Sequence, residues 1–190
     1  MEEENKALMI IDPQNDFISG SLPVGNATEA MNNLAEWLKE HKKEFKMIII
    51  TVDWHPVTHC SFDVNKGQWP VHCVQYSEGA AIYQPILNAL NDVEYYVLKK
   101  GLDEDHEEYS IWKNHRSSVA LHGVFNLRKI TDVNIAGLAG DICVFNSLKD
   151  GMKEMPQVKF HFMKEFSPCI GDGKEVDDFI HNAERVDFEY

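Results

Sequence analysis

The chain has 190 residues, enough to bury one full hydrophobic core, and its 44% aliphatic and aromatic content speaks against large-scale disorder. A formal net charge of −13 repels phosphate backbones and anionic lipid, which sets aside nucleic acid and membrane surfaces as partners. The acidic start MEEENKALMIID lacks the basic flank of a secretory leader and no segment is long enough to span a bilayer, so a cytoplasmic chain with its four cysteines reduced is expected.

In chain order, residues 7–12 form a short apolar run that predicts a buried strand. Residues 28–44 carry Met31, Leu34, Trp37 and Leu38 at helical spacing with polar residues between them. A second strand is predicted over 46–53, a helix over 81–90 and a third strand over 95–100. A helix over 118–127, a strand over 132–137 and a helix over 143–153 follow. A fifth strand over 158–163 and a closing helix over 175–185 complete the pattern. Continuous apolar strands separated by helices indicate an α/β fold with a parallel sheet covered on both faces. No repeat or linker divides it, so residues 1–190 read as one domain.

Ligands of open parallel sheets bind beyond the carboxyl ends of the strands. The residues predicted at those ends are Asp12, Asp53 with His55, Lys100, and the turn from Gly137 to Cys143. They are far apart in sequence, but the layout brings them to one edge. Asp53 and His55 are two apart, so on an extended chain they face the same side. His72 in QWPVHC offers a third ligand. Two histidines and one carboxylate with open positions suit a catalytic Zn, Fe or Mn ion. A lone D-x-H is more often a solvated aspartate and a surface histidine; the strand-end position and His72 shift that balance. A closed zinc site of His59, Cys60, His72 and Cys73 is a rival reading, and His59 or Ser61 are alternatively orienters of other ligands.

Cys143 follows a strand and a small-residue turn, IAGLAGDIC, near the first turn of the next helix. There, unpaired backbone N–H groups favour thiolate and can hold an oxyanion. A free cysteine is usually a small buried residue, and Cys60, Cys73 and Cys169 are left as structural or undetermined. Asp12, enclosed among apolar strands, is a candidate proton acceptor and donor for the thiol. Lys100 would set a cation beside both. The bland readings are a turn cap for Asp12 and a snorkelling surface lysine for Lys100.

Taken together, MIIDPQNDF, VDWHP…HCSF…WPVHCVQ, KKG…YS and GLAGDICV resemble, in order and spacing, the nicotinamidases of the isochorismatase-like cysteine hydrolase superfamily over about residues 8–144. The resemblance implies a three-layer α/β/α fold with a central, mostly parallel sheet. It implies hydrolysis of nicotinamide to nicotinate and ammonia through a cysteine thioester, in NAD salvage. By the same resemblance Asp12, Lys100 and Cys143 are the catalytic triad. Asp53, His55 and His72 hold one divalent metal, expected to be Zn with Fe or Mn as alternatives. Phe17 and Trp69 sandwich the pyridine ring. Leu138–Ala139 falls where the family has a non-proline cis peptide, and the N–H groups of Ala139 and Cys143 would form an oxyanion hole. Asp16 takes a supporting position. Gly140 stands where relatives often have Thr or Ser, and Glu108 departs from their Asp–Ser–Tyr–Ser. A cysteine amidase for another small amide, an isochorismatase proper and a non-enzymatic metal-binding or redox module are the alternatives. A homo-oligomer is compatible with the sequence.

Overall fold

Seven consecutive residues, MIIITVD, are all buried. An uninterrupted apolar, β-branched run has no solvent face, which places it inside a sheet covered on both sides. In the computed structural model this run is β2 (Met47–Asp53). The structure describes residues 5–189; the acidic residues 2–4 that bear on the leader expectation lie outside them. The other strands are β1 (Lys6–Ile11), β3 (Tyr96–Lys100), β4 (Asp132–Gly137), β5 (Lys159–Phe162) and β6 (Val186–Phe188). They form one sheet in the order β3-β2-β1-β4-β5-β6, and every pairing is parallel.

Alternate residues of the central strands feed two cores. Met9, Ile49, Val133, Ile135, Phe160 and Phe162 pack on one face, against α4 (His115–Arg128), α5 (Phe145–Glu154) and α6 (Lys174–Asn182). Leu8, Ile10, Ile48, Ile50 and Val52 pack on the other. There they meet Met31, Leu34 and Leu38 of α2 (Ala27–His41) and Ile86 of α3 (Gln84–Ala89). A four-residue helix, α1 (Asn15–Ile18), precedes α2.

Two elements differ from the sequence pattern. The last helix ends at Asn182 rather than 185, and Arg185, at φ 66°, turns the chain into β6. β6 has only three residues, of which Val186 alone is buried, so it carries no periodic signal. Among the described residues no helix is long and apolar enough to cross a membrane.

Candidate active site

The parallel register brings the strand ends together. Asp53 and Lys100 close β2 and β3 and are paired across them. Ile11 pairs with Gly137 at the ends of β1 and β4. Asp12 lies one residue beyond β1 at φ 47°, a left-handed conformation that an aspartate adopts more readily than most residues. Gly137, at φ 129°, permits the close approach of β1 and β4, because a Cβ there would lie 2.1 Å from the Ile11 carbonyl oxygen. The next peptide bond, Leu138–Ala139, is cis. A π-helical turn, Gly140–Val144, then carries Cys143 into the sheet edge before α5 begins.

Lys100 is the centre of this cluster. Its side chain is fully buried, with Nζ 2.8 Å from Asp12 Oδ2, in direct contact with Asp53 Oδ1 and 3.5 Å from Cys143 Sγ. Thr51 Oγ1 donates to Asp12 Oδ1 at 2.6 Å. Burial disfavours the ammonium, but Asp12 and Asp53 outweigh it and hold Lys100 well above its ordinary pKa. Burial raises the Asp12 carboxyl, Asp53 adds to that, and Lys100 only partly offsets it. For Asp53 burial also pushes upward, yet Lys100 and His55 win and keep it below the usual range. Cys143 departs from the sequence expectation. Burial pushes its thiol well above the ordinary value, and Asp12 and Asp53 reinforce this against Lys100. Burial and the two carboxylates thus oppose the thiolate that a helix start alone would favour.

The long segment between β2 and α3 folds back on the end of β2. His55 N–H donates to the Cys73 carbonyl at 3.0 Å, and Gln75 N–H donates to the His55 carbonyl at 2.9 Å. This returns His72 to His55, and ligand atoms of Asp53, His55 and His72 lie within 4.8 Å of one another. Nδ1 of His55 faces the Gly101 carbonyl at 2.9 Å, and Nδ1 of His72 faces the Pro70 carbonyl at 2.7 Å. A carbonyl only accepts, so each Nδ1 carries the proton and each Nε2 keeps its lone pair. His55 Nε2 is buried without a hydrogen-bond partner, 3.6 Å from Asp53 Oδ2. An orphaned buried lone pair beside a carboxylate and a second imidazole fits a divalent cation.

The closed zinc site is not assembled, and His59 packs against the candidate ligand His55 instead. Among the described residues no ligand cluster includes Cys60 or Cys73. His59 spends both nitrogens, on Ser61 Oγ at 2.7 Å and on the His106 carbonyl at 3.2 Å, and its ring lies 4.0 Å from the His55 ring, tilted by 37°. Burial and the neighbouring His55 push His59 down to about 4, so it supports that ring as a neutral group.

Phe17, Trp69, Asp53, His72, Ala139 and Cys143 share one cavity of about 350 Å³, counting its open mouth. Three further residues join the site without having been given a role from the sequence. Gln14 is fully buried and grips the Asp53 backbone, accepting its N–H at Oε1 (2.8 Å) and donating Nε2 to its carbonyl (2.8 Å). Tyr109 accepts the Trp69 indole N–H at 3.0 Å and Gln68 Nε2 at 2.6 Å. Glu107 lines the same cavity. Asp16, read as supporting, accepts the Cys73 N–H at 2.7 Å and so fixes the residue after His72.

Residues 6–154 match the family described as the Isochorismatase domain. A nicotinamidase of Escherichia coli (strain K12) is 30% identical over 169 residues, covering 78% of this chain and 76% of the relative. A pyrazinamidase of Pyrococcus horikoshii, solved in complex with zinc, superposes with a TM-score of 0.80 at 25% identity, covering 97% of this chain and 98% of the other. The PnC1 protein of L. infantum, solved in complex with nicotinate, also gives 0.80 at 25% identity, over 97% of this chain and 96% of the other.

Proposed function

The chain belongs to the isochorismatase domain family, and from that premise we propose that it is a nicotinamidase, an amidohydrolase that converts nicotinamide to nicotinate and ammonia. The observation that carries this reading is one cavity lined by a thiol, two aromatic walls and Asp53 and His72 of a metal-competent set, with the buried Asp12–Lys100 pair in contact with the thiol and Asp53. The E. coli nicotinamidase and the nicotinate complex support the substrate. A place in NAD salvage follows from that reaction.

In this reading Asp12 takes the Cys143 proton, which the raised carboxyl does more readily than a solvated aspartate. The sulfur attacks the carboxamide carbon while Lys100 holds Asp12 in place and balances its charge. The N–H groups of Ala139 and Cys143 receive the oxyanion. Asp12 returns its proton to the departing ammonia as the C–N bond breaks, leaving a thioester. Water then attacks the thioester, Asp12 accepts its proton, and the thiol is restored as nicotinate leaves. Phe17 and Trp69 hold the ring. Asp53, His55 and His72 would hold one divalent cation, zinc by preference, which supplies positioning and Lewis-acid polarisation of the ring. The whole chain is proposed to act as one cytoplasmic domain.

Stripping the metal with a chelator should abolish ammonia release, and one equivalent of Zn, Fe or Mn should restore it. Full activity after metal content falls below about a tenth of an equivalent would redirect the assignment to a metal-independent amidase. Tyr109→Phe removes the acceptor of the Trp69 indole, a net hydrogen bond of about 1 kcal/mol. The expected result in steady-state kinetics is a KM for nicotinamide raised about fivefold with kcat within twofold. An unchanged KM would show that Trp69 holds its place without Tyr109.

A further inference from the structure

We infer that Glu107 is a specificity-determining residue that sets the site against anionic ring ligands, so that the carboxylate product binds more weakly than the neutral carboxamide substrate. The inference rests on the nicotinamidase reading above. Glu107 lines the cavity beside Asp53, His72, Tyr109 and Cys143. Its carboxylate receives the Glu108 N–H at Oε1 (3.1 Å), and among the described residues no lysine, arginine or histidine pairs with it. The buried cation Lys100 is already shared by Asp12 and Asp53. Partial burial raises the Glu107 carboxyl and Asp53 adds to it, with His55 and Lys100 only partly offsetting them, so the group is partly desolvated on the cavity wall.

The reaction turns a neutral amide into an anion inside this cavity. A fixed carboxylate on the wall interacts little with the amide and repels the product, and the repulsion acts through a partly dehydrated space where charges are weakly screened. The discrimination needs no contact with the reacting atoms. It favours release of nicotinate and limits product inhibition. No sequence motif marks the residue, because its effect depends on where the loop after Gly101 places one more negative charge.

The test uses the metal-loaded protein at pH 8, with nicotinamide as substrate and nicotinate as competitive inhibitor. Glu107→Gln keeps the shape and the acceptor for the Glu108 N–H but removes the charge. The ratio of the nicotinate inhibition constant to the nicotinamide KM should fall about tenfold. Glu107→Asp should keep that ratio within twofold of wild type, and the inhibition constant of a neutral ring competitor, 3-acetylpyridine, should move less than twofold in either variant. An unchanged ratio in Glu107→Gln, or an equal fall for the neutral competitor, overturns the inference. Wild-type protein that releases no ammonia from nicotinamide overturns the nicotinamidase reading itself, which is a different result.

Discussion

Replacing Cys143 by alanine is expected to lower nicotinamide turnover to below about 1% of wild type while leaving nicotinamide binding in place. The sulfur is the only nucleophile positioned beside both Asp12 and Lys100 among the described residues, with Nζ 3.5 Å away. Removing it leaves Asp12 held by Lys100 and Thr51, Lys100 held by Asp12 and Asp53, and the aromatic walls and the metal-competent set unaltered. Loss of one oxyanion donor typically costs on the order of 100-fold; loss of the nucleophile removes the covalent path altogether. Binding is read by calorimetry on the metal-loaded variant, and turnover by ammonia release. A variant that kept more than a few per cent of the rate would mean that water attacks the amide directly, and the thioester scheme would fall.

Lys100→Met should have the largest effect on stability. It leaves two carboxylates, Asp12 at 0% and Asp53 at 4% exposure, buried without their shared cation. Breaking a buried ion pair from one side costs about 3–5 kcal/mol. In a chain of this size that lowers Tm by about 10 °C, measured on metal-free protein at pH 7.5. The pH dependence has a definite sign. Without Lys100, burial and the neighbouring Asp53 hold the Asp12 carboxyl still further above its unfolded value. Stability from such groups is present below the unfolded pKa and is lost as pH rises through the folded one. The deficit should therefore shrink towards pH 5 and be largest above neutrality. A Tm within about 2 °C of wild type at pH 7.5 would mean that the cluster is not dry. The same substitution should also remove activity, because Asp12 loses the group that fixes it.

Much of this was legible in the sequence because the fold is written in continuous apolar runs. Met47–Ile50 is an unbroken apolar run, and its pattern alone places β2 inside a parallel sheet. The strand-end rule then gathered Asp12, Asp53, His55, Lys100 and Cys143 from four separate stretches, and the structure joins them in one cluster of which Asp53 and Cys143 face the cavity. What stayed hidden has physical reasons. β6 is three residues long and half-exposed, too short for any periodicity. Gln14 acts through the backbone of Asp53, and a side chain that braces a main chain has no spacing rule. Tyr109 and Glu107 sit on an irregular loop whose path a sequence pattern does not determine. The burial of Cys143 stayed hidden for a related reason. A helix start near a cysteine is visible in sequence, whereas full burial beside two carboxylates is not, and burial is the larger effect.

The most direct test is ammonia and nicotinate release from nicotinamide by the purified, metal-loaded protein, measured together. The account predicts one ammonia per nicotinate, with both lost in Cys143→Ala and in metal-stripped protein. No ammonia from metal-loaded wild type would contradict it, and would leave a member of this family acting on some other small amide or on none.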